Sequence, residues 1–201
     1  MPYAKATFND LLLSLSYRYG ETTVPSSGID NRKYWINRGI EYCMEQLDMT
    51  KSVSVTVASG VCNLNVSTAN PAPDFKSISE LRDSSNAKYT PTYPEMYGLV
   101  VGAYFCITGD HGTGYVLKAK NDGVYTLWYR FYTSPLVNTT DICIISDPEA
   151  VAAYAYAQIR LSETDPLEDA QRNLDECTDR ISKMGENVNR NGPPATFKPL
   201  Y

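Results

Sequence analysis

"DPEAVAAYAYAQIRLSETDPLEDAQRNLDECTDRISKM", residues 147–184, contains two helix starts in succession. Asp147 offers a carboxylate N-cap and Pro148 fills the first helical position, where its missing N–H costs nothing; Asp165-Pro166 repeats the arrangement. The first helix is rich in alanine, the best helix former. The second spaces Leu167, Ala170, Leu174, Cys177, Ile181 and Met184 by three and four residues in turn. Such a seam packs along one neighbour at a shallow angle, and the Ala-rich helix, whose small side chains permit close approach, is the natural partner. Outside, Glu168/Arg172, Glu176/Arg180 and Asp179/Lys183 stand at i, i+4, worth about 0.2–0.5 kcal/mol each. Gly185 is expected to close the helix.

Toward the N-terminus two more helices are readable. Thr7 and Asp10 form a capping box before Phe8, Leu11, Leu12, Leu15 and Tyr19, and Gly20 can end that helix. The next starts near Asp30 and carries Ile36, Ile40, Cys43, Met44 and Leu47 on one stripe. Between the two helical pairs the period falls to two. "VSVTVASGVCNLNV", residues 53–66, alternates around Ser59-Gly60 and reads as a hairpin. Strands resume at "VVGAYFCITG", "GYVLKA" and "GVYTLWYRFY"; Lys120-Asn121-Asp122-Gly123 joins the last two in a tight turn. "DICIIS", residues 141–146, is a further short strand, and "TPTYPEMYG" is a loop with room for one helical turn at Pro94–Tyr97.

The chain therefore reads as α+β. A helical pair (1–50) and a second pair (147–185) form one bundle, and an antiparallel β-sandwich or barrel-like domain (51–146) is inserted between them. Residues 186–201, "ENVNRNGPPATFKPLY", lack periodicity but hold Phe197, Leu200 and Tyr201, anchors that a solvating tail lacks. They read as an extended C-terminal arm that orders when it binds.

"GVYTLWYRFY" places Val124, Trp128 and Tyr132 on one face and Tyr125, Leu127, Tyr129 and Phe131 on the other. A strand with one face in water should be bulky on alternate positions only. Tyrosine, 16 of 201 residues, is concentrated around this region, and Tyr is enriched at protein interfaces. A neighbouring subunit would cover the surplus, which assigns Tyr125, Tyr129, Phe131 and Tyr132 to a subunit interface.

Composition narrows the function classes. Hydrophobic content of 43% and charged content of 20% are those of a globular protein. Lys+Arg number 18 against Asp+Glu 23, without a basic cluster, so neither nucleic acid nor an anionic membrane attracts the chain. The N-terminus lacks a signal-peptide pattern and no stretch approaches the roughly 20 apolar residues of a membrane span, so a soluble protein made in the cytosol is expected. Five scattered cysteines without a CxxC pair read as buried reduced thiols.

His111, in "TGDHGTG", reads as an exposed loop histidine, and those glycines are in the wrong order for a phosphate loop. Glu163, Asp165, Glu168 and Asp169 sit where acids favour a helix start. No catalytic residue, metal or cofactor is expected; a hydrolase would need one of Glu80, Glu95 or Asp110, to which no pattern points.

Two N-terminal helices, a Pro- and Tyr-rich β region, the closing pair "PEAVAAYAYAQIRLSETDPLEDAQRNLDECTDRI" and a loose tail resemble the head-to-tail adaptors of tailed bacteriophages. "YWINRGIEYCMEQLDM" is similar to that family's second helix, "NLNVSTANPAPDFKSISELR" to its strand and Pro-Asp-Phe turn, and "GVYTLWYRFYTSPLV" to its aromatic hairpin strand. The resemblance spans most of residues 25–185. It implies a non-enzymatic virion protein at the head–tail junction, made in the host bacterial cytoplasm. Such a protein forms a ring, usually twelve-fold, under the portal protein. The ring extends the DNA channel without specific DNA binding and docks the tail or nozzle protein.

The resemblance also locates a portal-gripping arm at 187–201. By composition its anchors are Phe197, Leu200 and Tyr201, and its charge contacts Arg190 and Lys198. The rival reading is a carbohydrate- or peptide-binding β-module on a helical stalk, with the tyrosines as its ligand platform.

Overall fold

The computed structural model describes residues 5–65, 69–163 and 167–189. They form four α-helices and two β-sheets, an α+β architecture, in two compact units: residues up to Asp48 with those from Ser134 on, and Met49–Thr133.

The helical unit contains α1 (Phe8–Arg18), α2 (Ile29–Gln46), α3 (Pro148–Ser162) and α4 (Leu167–Asn189). α1 opens with the expected capping box, Thr7 and Asp10 each bonding the other's backbone N–H. Asp147 caps α3 by accepting from the Glu149 N–H. α3 is the hub, packed against α1, α2 and α4. Its alanines 150, 152, 153, 155 and 157 are fully buried, so three neighbours can close on it without leaving voids. α2 contributes Gly39, where a Cβ would stand 3.1 Å from the Val151 carbonyl oxygen. Tyr42 stacks on Tyr154 at 4.5 Å, and Cys43 and Cys177, both fully buried, are hydrogen-bonded, which with burial pushes the Cys43 thiol up.

α4 departs from expectation twice. It continues through Gly185, which is buried, to Asn189, so the arm begins later than residue 186. A mid-helix glycine costs only about 1 kcal/mol, which the packing of the last turns offsets. The seam is also rotated. The buried positions are Ala170, Asn173, Cys177, Ile181 and Met184, while Leu167 is 74% exposed and Leu174 half-buried. Asn173 occupies a seam position because its side chain accepts from Arg18 at 2.8 Å and donates to the Asp169 carbonyl at 2.8 Å. At 100° per residue this swings Leu167 and Leu174 onto one flank.

Residues 134–146 belong to the helical unit, not to the β domain. "DICIIS" joins no sheet; Ile142 bridges Thr7, and Cys143 N–H donates to the Ala6 carbonyl. Asn37 of α2 holds Leu136 by both its backbone N–H and its carbonyl. The hydrophobic alternation that suggested a strand inserts Cys143 and Ile145 into the helical core.

In the other unit, β1 (Lys51–Val57), β7 (Gly123–Phe131) and β3 (Phe75–Asp83) form one sheet, with β7 central. β2 (Val61–Asn63), β6 (Gly114–Ala119), β5 (Tyr104–Asp110) and β4 (Thr90–Pro91) form the other. The expected tight turn at Ser59-Gly60 is present, closed by reciprocal backbone hydrogen bonds between Ala58 and Val61 at 3.1 and 3.2 Å, but beyond it β1 pairs β7 and β2 pairs β6, and the strands either side of Lys120–Gly123 likewise lie in different sheets. Both turns are corners at which an antiparallel ribbon leaves one sheet for the other. They are clasped together by Asp122, whose carboxylate accepts from the Ser59 N–H at 3.0 Å and the Gly60 N–H at 2.7 Å.

β3 has no clean alternation because bulges between Phe75/Ser77 and Ile78/Glu80 shift its parity. The rings of Phe75 and Tyr115 meet from the two sheets at 5.0 Å. Val55, Val57, Leu81, Leu117, Leu127 and Phe105 complete the core.

Candidate interaction surfaces

β7 supplies the aromatic positions singled out for a subunit interface. Tyr125, Tyr129 and Phe131 share one face and are buried inside the β unit itself. These three are therefore not free for a subunit interface: Tyr89 meets Tyr125, Phe75 stacks on Tyr129 and Lys51 lies over Phe131, all within the same chain. Their polar ends are also satisfied internally. Tyr125 donates to the Asn121 carbonyl at 2.7 Å, and Tyr129 donates to Asp74 at 2.9 Å. Burial and the neighbouring Asp74 carboxylate push the Tyr129 hydroxyl up to about 12. Burial pushes Tyr125 up as well, aided by Tyr89. Asp74 is driven up by burial, but its bonds to Lys51 and Tyr129 outweigh this and leave it below the usual carboxylate range.

The other face of β7 carries Val124, Thr126, Trp128, Arg130 and then Tyr132. Charged side chains, not an apolar layer, border it. The Arg82 guanidinium lies over Trp128 at 5.8 Å and is ion-paired with Glu80. Tyr132, 42% exposed, meets the His111 ring at 5.0 Å and Lys76 at 5.7 Å. Of the four β7 candidates, Tyr132 is therefore the one available to another molecule.

Three surfaces that the sequence reading passed over are more apolar. In the loop between β4 and β5 a single 3-10 turn, Pro94–Met96, is closed by Met96 N–H to the Tyr93 carbonyl at 2.9 Å. Tyr97 pins the loop against Tyr104 with ring centroids 5.3 Å apart. Around that anchor Tyr93 (76% exposed), Leu99 (73%) and Val101 (95%) face outward, with Met96 nearby. In the helical unit, Val137, Ile142 and Ile144 are exposed along the segment before α3. Finally, the displaced Leu167 and Leu174 join Leu161 of α3 in an open groove of about 590 Å³, rimmed by Glu168, Arg172 and Asp175. The signal for this groove was in the sequence as Asn173, a polar residue on the seam.

Beside these surfaces the helical unit holds a charge network. Arg18 of α1 donates to Glu149 of α3 at 3.0 Å and to both oxygens of Glu176 of α4 at 2.9 Å; Arg180 ties Glu176 to Asp147. The hydrogen bond from Arg18, reinforced by Arg180, holds the Glu176 carboxyl down at about 2. These groups join three helices through both terminal guanidinium nitrogens of Arg18, while its buried Nε has no hydrogen-bond partner among the described residues.

Glu80 and Asp110 are likewise engaged structurally. Glu80 pairs with Arg82 and Lys88, and Asp110 accepts from the Gly112 and Thr113 N–H groups at 2.8 Å to close the β5–β6 turn. Glu95 lies within the exposed 3-10 turn. His111 is exposed, as expected, and touches Tyr132. Among the described residues no group of three His, Cys, Asp or Glu side chains is placed to hold a metal ion, and no helix is long and apolar enough to cross a membrane. Arg190, Phe197, Lys198, Leu200 and Tyr201, the expected arm contacts, lie outside the described residues. No protein-family model matches the chain, and no curated protein matches it in sequence.

Proposed function

We propose that this chain is a structural adaptor of the head–tail junction of a tailed bacteriophage. It would assemble as a ring beneath the portal, probe no chemistry of its own, extend the DNA channel and offer a docking surface to the tail. The observation that carries this reading is the union of helices from both ends of the sequence around α3, with residues 49–133 inserted between them as a separate unit. That is the layout the adaptor resemblance implies. We read the four helices as a bundle and the two sheets as a small sandwich, a rigid protomer whose lateral contacts come from prefolded surfaces.

The interface moves from the buried β7 rings to Tyr132 and to the exposed Tyr93, Leu99 and Val101. A heterologous contact through such a patch closes into a ring when the rotation between neighbours allows it. The net charge of −5 suits a conduit through which DNA slides without being held. Portal binding falls to the arm, with Phe197, Leu200 and Tyr201 as anchors.

Sedimentation velocity of the chain alone and with the portal protein of the same phage tests this. The expected result is a monomer alone and a ring-sized complex with portal, lost when residues 190–201 are deleted. No association in any mixture would overturn it. The carbohydrate- or peptide-binding reading has one observation in its favour, the polar-flanked pair Trp128 and Tyr132 on one sheet face. It expects ligand binding that survives deletion of the arm and falls on Trp128→Ala.

A further inference from the structure

Cys43 of α2 and Cys177 of α4 are free thiols without solvent exposure, and both helices pack on α3. The two thiols are hydrogen-bonded to each other, and the residues beside them meet as well: Tyr42 is hydrogen-bonded to Thr178. Two successive contacts, 42 with 178 and 43 with 177, therefore bring α2 and α4 together at one level of the bundle. A buried thiol packs as a small hydrophobe and forms only a weak hydrogen bond. For packing alone, alanine or valine would serve as well. What two thiols in contact add is the capacity to become one covalent bond.

We propose that Cys43 and Cys177 are a redox-responsive latch: oxidation by a peroxide joins them in a disulfide that ties α2 to α4 inside the helical unit. Cys143 is the competing partner, since it too is buried near Cys43. The hydrogen bond favours Cys177.

Cys177 is placed to react first. The hydrogen bond donated by Cys43 draws the Cys177 thiol down, against burial, and the thiolate is the nucleophile. It attacks one oxygen of hydrogen peroxide and the O–O bond breaks. A sulfenic acid forms at Cys177, and the departing hydroxide takes up the proton that the thiol released, giving water. The Cys43 sulfur, already in contact, then attacks the Cys177 sulfur. The S–S bond forms, the S–O bond breaks, and the Cys43 proton leaves with that oxygen as a second water. The two thiols lose two electrons and two protons, and the peroxide gains them. Burial makes the first step slow, because peroxide enters through local opening.

The bond would close residues 44–176, and with them the whole inserted β unit, into one covalent loop. Cross-links that close long loops constrain the unfolded chain most. Reducing compartments keep such thiols open. On the adaptor reading, which the latch itself does not require, the protomer would assemble reduced and lock once the particle leaves the cell.

Peroxide treatment of the full chain carrying Cys62→Ser, which removes the more accessible thiol, tests the latch. Digestion without reductant and mass spectrometry should find the Cys43 peptide joined to the Cys177 peptide, in a product with the mass of a monomer. A link from Cys43 to Cys143, or Cys43 and Cys177 both recovered unlinked, would overturn the inference. Oxidation in guanidinium should scatter the pairings. An equal preference for 43–177 there would mean that the fold does not select the pair, and would overturn it too.

Thermal unfolding followed through Trp35 of α2 gives a second readout. The linked protein should unfold several degrees higher, and dithiothreitol should return it to the reduced midpoint. The same treatment of Cys177→Ala should leave the midpoint where it was. A linked protein that unfolds no higher than the reduced one would overturn the latch. The peptide map decides the pairing even if Cys177→Ala does not fold. Failure of the disulfide leaves the sedimentation experiment with portal untouched, and failure of ring assembly leaves the peptide map untouched.

Discussion

The two units solve the burial problem in opposite ways. The helical unit is organised around the smallest side chains available, the alanines of α3, and gains stability by letting three helices come close and then tying their ends with Arg18, Arg180, Glu149 and Glu176. The β unit is organised around large rings, Phe75, Tyr125, Tyr129 and Phe131; the Tyr125 hydroxyl donates to the Asn121 carbonyl and the Tyr129 hydroxyl to Asp74 inside the fold. In the first, close approach is the resource and any added atom is an intrusion. In the second, bulk is the resource and any removed atom leaves a hole. The contrast also explains why the aromatic surplus of β7 did not need a partner subunit. Its rings are buried within the β unit against Tyr89, Phe75 and Lys51, while its outer face is flanked by charged side chains of β3.

The contrast can be broken by exchanging the two strategies. The largest effect is expected from Phe75→Ala, which should destabilise the β unit by about 3–5 kcal/mol through the cavity it leaves. Ala155→Leu should cost about 1–3 kcal/mol by overpacking the hub of the helical unit. The two tryptophans separate the readouts, since Trp35 lies in α2 and Trp128 in β7. Denaturant unfolding followed in Trp35→Phe and Trp128→Phe backgrounds should show each core substitution acting first on its own unit. Equal loss in both signals would mean that the units do not unfold separately.

Protonation sharpens the same comparison. Glu176 is held near 2 against an ordinary value of 4.5, so its stabilising contribution is complete above about 4.5 and is lost as pH falls through about 2. Glu176→Gln should flatten the stability profile of the helical unit in that acid window and lower its stability at neutral pH. Tyr129 is pushed up to about 12 from 10, so its contribution is complete below about 10 and is lost as pH rises through about 12. Tyr129→Phe should flatten that alkaline window for the Trp128 signal, at a cost of about 1 kcal/mol at neutral pH from the lost bond to Asp74. The smallest effect belongs to Lys183→Ala, which removes an exposed i, i+4 pair with Asp179 and should change unfolding free energy by no more than about 0.5 kcal/mol.

Local chemistry was legible where a few neighbouring residues decide the outcome. Thr7 with Asp10, Asp147 with Pro148, and the 3-10 turn at Pro94 each act over one turn of chain, and each is found where the pattern places it. β3 was not legible because its bulges move Ile78 and Leu81 out of strict alternation. The corners at Ser59-Gly60 and Lys120–Gly123 have the composition of hairpin turns. What makes them corners is Asp122 reaching across from one to the other, a contact between residues more than sixty positions apart. The groove was obscured by a seam that looks regular until Asn173 is seen to have claimed a place on it through Arg18.

By itself the sequence determined where helices begin, which residue types fill each core and that the two ends of the chain carry matching helical pairs. These follow from hydrogen bonds and periodicities within a few residues. Only the tertiary structure decided which strands share a sheet, that residues 134–146 serve the helical core, and which apolar side chains remain facing water. Those outcomes depend on burial by partners distant in the chain, and periodicity is blind to which distant surface arrives to cover a given face.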